Sequence, residues 1–176
     1  MLLTKTIVIS EGEPVTVDEV KVSARIDDDI DELDGQIETL IQSVRLTAEH
    51  ECERVFQPHT IQLAYDAWPG GPLPVPPEAE SATAEIFDGA KWVEAPSTLF
   101  RYLEGTFAIV PTVELPPLPD DGSECVRIAV QVGCPANVRA YIIAMASHQL
   151  TTATAARPAN PPAYLAGLLD RERNWA

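Results

Sequence analysis

The stretch IDELDGQIETLIQSVRLTAEHECERV, residues 30–55, decides how the rest of the chain is read. Apolar residues recur at Ile30, Leu33, Ile37, Leu40, Ile41 and Val44, then at Ala48, Cys52 and Val55. Steps of three and four residues place them along one side of an α-helix. The spacing predicts a helix from about Asp29 to Val55, about seven turns and roughly 40 Å long at ~1.5 Å per residue. Acidic residues crowd its start and Arg54 lies near its end, so its charges complement the helix dipole. Such a helix must bury its stripe against partners, and it becomes the spine of the fold.

Upstream, Thr16-x-x-Glu19 forms the pattern of a capping box, which predicts a short helix from about Val17 to Arg25. Before that, Leu3 to Ile9 is rich in β-branched residues and stops at Glu11-Gly12-Glu13-Pro14, as an edge strand or arm would. Downstream, proline punctuates the chain, and most of its 16 prolines fall in three clusters, Pro69–Pro77, Pro111–Pro119 and Pro158–Pro162. Proline is excluded from helix interiors and central strands, so these clusters are breaks.

Between the first breaks the period changes from helical to two. Thr60 to Ala67 alternates, with Ile61, Leu63 and Tyr65 on one face. Ala84–Phe87 and Lys91–Glu94 flank Asp88-Gly89, a strong hairpin signal. Leu99–Leu103 and Thr106–Val110 suggest a second pair, and Cys125 to Val132 alternates again. From about Ala136 to Thr152 helical spacing returns, with Val138, Tyr141, Ile142, Met145 and Leu150 on one face. The fold class expected is α+β: a small helical bundle around one long helix, an inserted antiparallel β-sheet region and a C-terminal helical tail. Residues 1–176 are read as one domain, with helical parts at about 16–58 and 136–152, the β region at about 60–133 and an arm at about 153–176.

Charge narrows the functional classes. The chain has 27 acidic and 12 basic side chains and a formal net charge of −15. Binding nucleic-acid phosphates or an anionic membrane would need cations concentrated on one face, and this chain has few. With 45% apolar residues it carries enough for a core. No run approaches the roughly 20 apolar residues of a membrane span, and Met1-Leu2-Leu3-Thr4-Lys5 does not open like a signal peptide. A soluble protein made in the cytosol is expected. Cys52, Cys125 and Cys134 are odd in number and widely spaced, which suggests buried thiols rather than a disulfide framework or zinc pairs.

The densest titratable run is Glu49-His50-Glu51-Cys52-Glu53, whose neighbours point around a helix rather than toward one ligand. It reads as a solvated helix face. His59 and His148 stand outside any ligand spacing, and Asp27, Asp29, Asp31 and Glu38 match calcium-loop offsets but place Glu32 where glycine is needed. Cys134 precedes Pro135 at a helix start but has no nearby histidine in sequence. Nucleophile, P-loop and dinucleotide motifs are absent from the sequence. No catalytic, metal or cofactor-binding residues are assigned, no cofactor is expected, and the chain reads as a non-enzyme.

The order of the blocks carries a resemblance. Thr16-Val-Asp-Glu-Val-Lys-Val-Ser-Ala-Arg-Ile-Asp27 before a long helix resembles the opening of the head-tail connector (adaptor) proteins of long-tailed bacteriophages and prophages. So do Thr60-Ile-Gln-Leu-Ala-Tyr-Asp-Ala-Trp-Pro69, the Leu73-Pro-Val-Pro-Pro77 loop, the Asp88-Gly89 hairpin, and Val126 to Gly133 with Pro135 leading into a helix. Leu168-Leu-Asp-Arg-Glu-Arg-Asn-Trp175 is similar to that family's tail. The chain departs at Cys134, where the family usually has an aromatic residue, and at His148-Gln-Leu-Thr-Thr-Ala153, where it has a Tyr/Glu/Arg-rich segment. The resemblance implies a structural virion protein at the head-tail junction, assembled in the host bacterial cytoplasm as a homo-oligomeric, dodecameric ring. It would sit beneath the portal protein and meet the next neck or tail-completion protein, with genome DNA passing through unbound and no membrane involved. Alternatives are a tail-completion or stopper protein, or a small enzyme or ligand-binding module with its site among the strands.

The arm supplies the candidate partner-binding residues. Leu165, Leu168 and Leu169 form an apolar stripe, Arg171 and Arg173 are two of few cations, and Trp175 lies near the end. Trp and Arg are enriched where interfaces concentrate their energy, so the arm is expected to bind the portal or a neighbouring subunit.

Overall fold

The computed structural model describes residues 1–103, 106–110, 115–118, 123–153 and 160–173. It has both helices and antiparallel sheets, the α+β class expected. The chain divides into two compact units, Met1–Ser10 with Pro58–Gly133, and Glu11–Gln57 with Cys134–Ala176.

The first unit is built from strands β1 (Leu2–Ile9), β2 (His59–Tyr65), β3 (Ala79–Phe87), β4 (Trp92–Glu94), β5 (Phe100–Leu103), β6 (Thr106–Ile109) and β7 (Val126–Val132). Five form an antiparallel sheet in the order β1-β2-β7-β3-β4, and β5 and β6 form a separate hairpin. The period of two sorts the side chains: Ile61, Leu63 and Tyr65 pair in register with Val130, Ile128 and Val126, next to Ala82, Ala84 and Ile86 of β3. This face forms a core with Leu73, Leu99, Phe107 and Cys125. The other face carries Thr6, Gln62, Arg127, Thr83 and Glu85. The β3–β4 turn forms as its residues dictate: Gly89 takes φ +97°, and the Asp88 carboxylate accepts the N–H groups of Ala90 and Lys91, each at 2.9 Å. Those two bonds hold the Asp88 pKa below its usual range. The segment read as an edge strand or arm is a strand of this sheet, paired with β2 from Leu2 opposite Tyr65 to Ile9 opposite His59.

The second unit contains α1 (Val17–Ala24), α2 (Asp34–Cys52), α3 (Ala136–Ala153) and α4 (Ala163–Gly167). The capping box forms: the Thr16 hydroxyl accepts the Glu19 N–H, and the Glu19 carboxylate accepts the Thr16 N–H at 2.9 Å. The spine is shorter than its periodicity suggested, 19 residues or about 28 Å, after a separate 3-10 turn at Asp31–Leu33. Its start is set by Lys21, 1% exposed, whose ammonium lies 2.7 Å from Asp34 and 3.8 Å from Asp31 and donates to the Asp28 carbonyl. The acidic run wraps this cation instead of extending the helix. Its end is set by Glu53, in the left-handed region at φ 53°. Val55 thereby leaves the stripe and is exposed, as is Ile30, while Phe56 is buried. Ile37, Ile41, Val44, Ala48 and Cys52 are buried with Val138, Tyr141, Ile142, Ala146 and Leu150 of α3; Leu33, Leu40 and Met145 pack at the margin. Helix α3 touches α1, α2 and α4, and of its alanines Ala146 is buried and Ala144 half-buried, while Ala136 and Ala140 are exposed.

Candidate partner-binding segment

Residues 160–173 close back onto the second unit. Helix α4 is one short turn, too brief to be stable alone, and its side chains hold it. Leu165 and Leu169 are 2% and 0% exposed within the helical core, and Leu168 packs against that core. Leu165 and Leu169 are therefore covered within their own protomer, with Leu168 partly so. Arg173 donates to Glu51 at 2.6 Å and to Asp170 at 2.8 Å. Arg171 is exposed, and Trp175 lies outside the described residues.

Glu172, between the two arginines, was not singled out by sequence. Its side chain is nearly buried and accepts from Arg54 and, at 3.0 Å, from Asn137, whose amide also donates to the Leu168 carbonyl at 2.9 Å. The available signal was an acid inside a basic tail. Residues 49–53, expected to form one solvated face, divide into buried and exposed positions. The Glu49 carboxylate accepts the N–H groups of Phe56 (2.7 Å) and Gln57 (3.0 Å) and a guanidinium N–H of Arg45 (2.8 Å). Arg45 is buried and bonds Glu13 with its remaining fork. Cys52 is buried, which raises its thiol pKa, whereas His50, Glu51 and Glu53 are exposed.

On the polar sheet face lies a depression of about 500 Å³ lined by residues including Thr4, Gln62, Thr83, Glu85, Glu94 and Arg127. Arg127 is engaged by Glu124 and lies over the Trp92 ring at 3.9 Å. The lining brings hydroxyls, amide and carboxylates together without a histidine or cysteine. Among the described residues no three His, Cys, Asp or Glu side chains are grouped to hold a metal ion, and no helix is long and apolar enough to cross a membrane.

No family model and no curated protein matches the sequence. The fold does match solved structures. One is a chain of the neck of an empty gene transfer agent (GTA) particle computed with C6 symmetry, at TM-score 0.56 and 15% identity, covering 97% of this chain and 96% of that one. A second belongs to the virion of a native GTA particle, at TM-score 0.56, 17% identity and the same coverage. A third belongs to the neck of a native GTA particle computed with C12 symmetry, at TM-score 0.53 and 17% identity, covering 100% and 96%. At these identities the shared property is the fold, over nearly the whole of both chains.

Proposed function

We propose that this chain is a non-enzymatic structural protein of the neck of a phage-like particle, one subunit of a homo-oligomeric ring seated beneath the portal. The observation that carries the proposal is the end-to-end likeness of fold to chains from GTA particles, two of them from necks computed with C6 or C12 symmetry. The block order that resembles head-tail connectors points the same way. So does the net charge of −15, because a wall along which DNA slides should repel phosphates. The arm belongs to the proposal in a specific form. Leu165, Leu168 and Leu169 hold its base on the protomer, Arg173 is tied to Glu51, and exposed Arg171, with Trp175, contacts the portal or a neighbour.

Cryo-electron microscopy of particles carrying a tagged copy of this chain tests the placement. Tag density in a ring adjoining the portal supports the connector role. Density one ring further out transfers the chain to the tail-completion class, and density outside the neck overturns the proposal. The channel role predicts that purified protein does not retard duplex DNA at ~150 mM salt, where the Debye length is about 8 Å. Retardation there would contradict it.

A further inference from the structure

The five-stranded sheet has two outer edges, and they are built differently. Strand β4 is three residues long, carries Glu94 and runs into Ala95-Pro96. Shortness, charge and a following proline restrict such an edge to pairing over a short segment with a strand that brings no acid of its own. Strand β1 is eight residues long, has neither acid nor proline, and exposes all eight residues. Its lysine is turned aside, with the Lys5 ammonium donating to the Pro74 carbonyl at 2.8 Å. Ser10 donates its N–H to Pro58, so strand alternation points the N–H and C=O groups of Ile9, Ile7 and Lys5 away from β2. Among the described residues no strand pairs with that side.

Side chains and charge indicate what fits there. Ile7 and Ile9 (46% and 48% exposed) share the sheet's apolar face with Val93 of β4 (37% exposed). Strands β1, β2 and β7 hold Lys5 and Arg127 and no acid, whereas 79–94 holds Glu80, Glu85, Asp88 and Glu94 against one lysine. Arg127 sits on the central β7, over Trp92 and paired with Glu124, so the β1 edge itself is apolar with Lys5 and no acid, whereas the β4 edge is apolar and acidic. Copies of a chain with charge −15 repel, so they meet most favourably where opposite signs face each other.

We propose, resting on the ring reading above, that the outer edge of β1 is the contact between neighbouring subunits and accepts the β4 edge of a second copy, joining the sheets head to tail. Backbone pairing supplies the attachment, as in strand addition to other sheet edges. The second copy's Val93 continues the apolar face beside Ile7 and Ile9. Joining unlike edges is a heterologous contact, the kind that closes into rings; pairing β1 with β1 would stop at dimers.

Cysteine pairs test this directly. Within one sheet β1 and β4 are four strand spacings apart, roughly 19 Å at about 4.8 Å each. A disulfide needs Cα atoms about 4.4–6.8 Å apart, so any bridge between these edges joins two copies. Oxidation of Ile7→Cys/Val93→Cys, or of Ile9→Cys/Val93→Cys if the register is shifted by two, should give a ladder of dimers, trimers and higher species. The single variants should stop at dimers, and the unsubstituted protein controls for its own thiols. In parallel, Ile7→Lys/Ile9→Lys should keep the thermal midpoint and lose the rings seen by electron microscopy, alone or with portal. Rings that persist in the lysine variant, with no ladder from either cysteine pair, overturn the β1 contact and leave the ring reading standing. Absence of rings and ladders under all conditions overturns both. A ladder confined to dimers contradicts the head-to-tail join, and a midpoint lowered by the lysines would mean these isoleucines serve the protomer's own stability.

Discussion

The C-terminal arm and β1 both carry apolar stripes, and the fold treats them in opposite ways. In the arm, Leu165 and Leu169 are buried, and the polar residues around them are engaged: Glu172 by Arg54 and Asn137, Arg173 by Glu51. In β1, Ile7 and Ile9 stay exposed, and half of the strand's backbone groups face away from the sheet. An amphipathic stripe alone therefore does not say what covers it. The charged residues beside it decide: in the arm they find complementary partners within the protomer, whereas in β1 the one charged side chain, Lys5, turns to the Pro74 carbonyl and Ile7 and Ile9 stay exposed.

The largest effect expected from breaking this contrast lies in the arm. Leu169→Ala should cost about 2–5 kcal/mol in urea unfolding, because the side chain is fully covered. A change near zero would mean that the arm does not dock on its own protomer. Next comes Glu172→Ala, which removes the acceptor shared by the Arg54 guanidinium and the Asn137 amide and should cost about 1–3 kcal/mol by the same measurement. An unchanged midpoint would make the polar clasp incidental.

Acid gives a smaller and sharper contrast within the helical unit. The Thr16 backbone N–H, and then Arg139 at 2.7 Å, hold the Glu19 carboxyl below its usual 4.5. A lowered folded-state value contributes stability that is full above pH 4.5 and is lost as pH falls below it. Glu19→Gln should flatten that part of a thermal-midpoint titration; an identical slope would remove Glu19 as its source. The smallest stability effect belongs to β1: Ile7→Thr should stay within about 0.5 kcal/mol, since an exposed edge position has little to lose. A loss comparable to Leu169→Ala would erase the difference between the two segments.

Much of the architecture was legible because it is local. Alternation in 60–67 and 125–132 and the Asp88-Gly89 turn specify β2, β7 and the β3–β4 hairpin within a few residues. Thr16 and Glu19 specify the start of α1 just as directly. What stayed hidden depends on groups far apart in sequence. Nothing near Lys21 indicates that it will be buried against Asp34, so the apolar period ran on through 29–33 and made α2 too long. Glu53 in a left-handed conformation has no sequence signal of the kind glycine gives. Arg45 and Glu49 advertise an i,i+4 pair, but Glu13 lies 32 residues away. The candidate arm was readable as a stripe with cations, whereas its docking required Glu172 to meet Arg54 across 118 residues.

Hydrogen–deuterium exchange on the free protomer and on the assembled neck measures both segments at once. In a ring joined through β1 the amides of Lys5, Ile7 and Ile9 exchange rapidly in the protomer and become protected on assembly, while those of 165–173 are protected in both states. Protection gained in the arm on assembly, with β1 unchanged, would contradict that join.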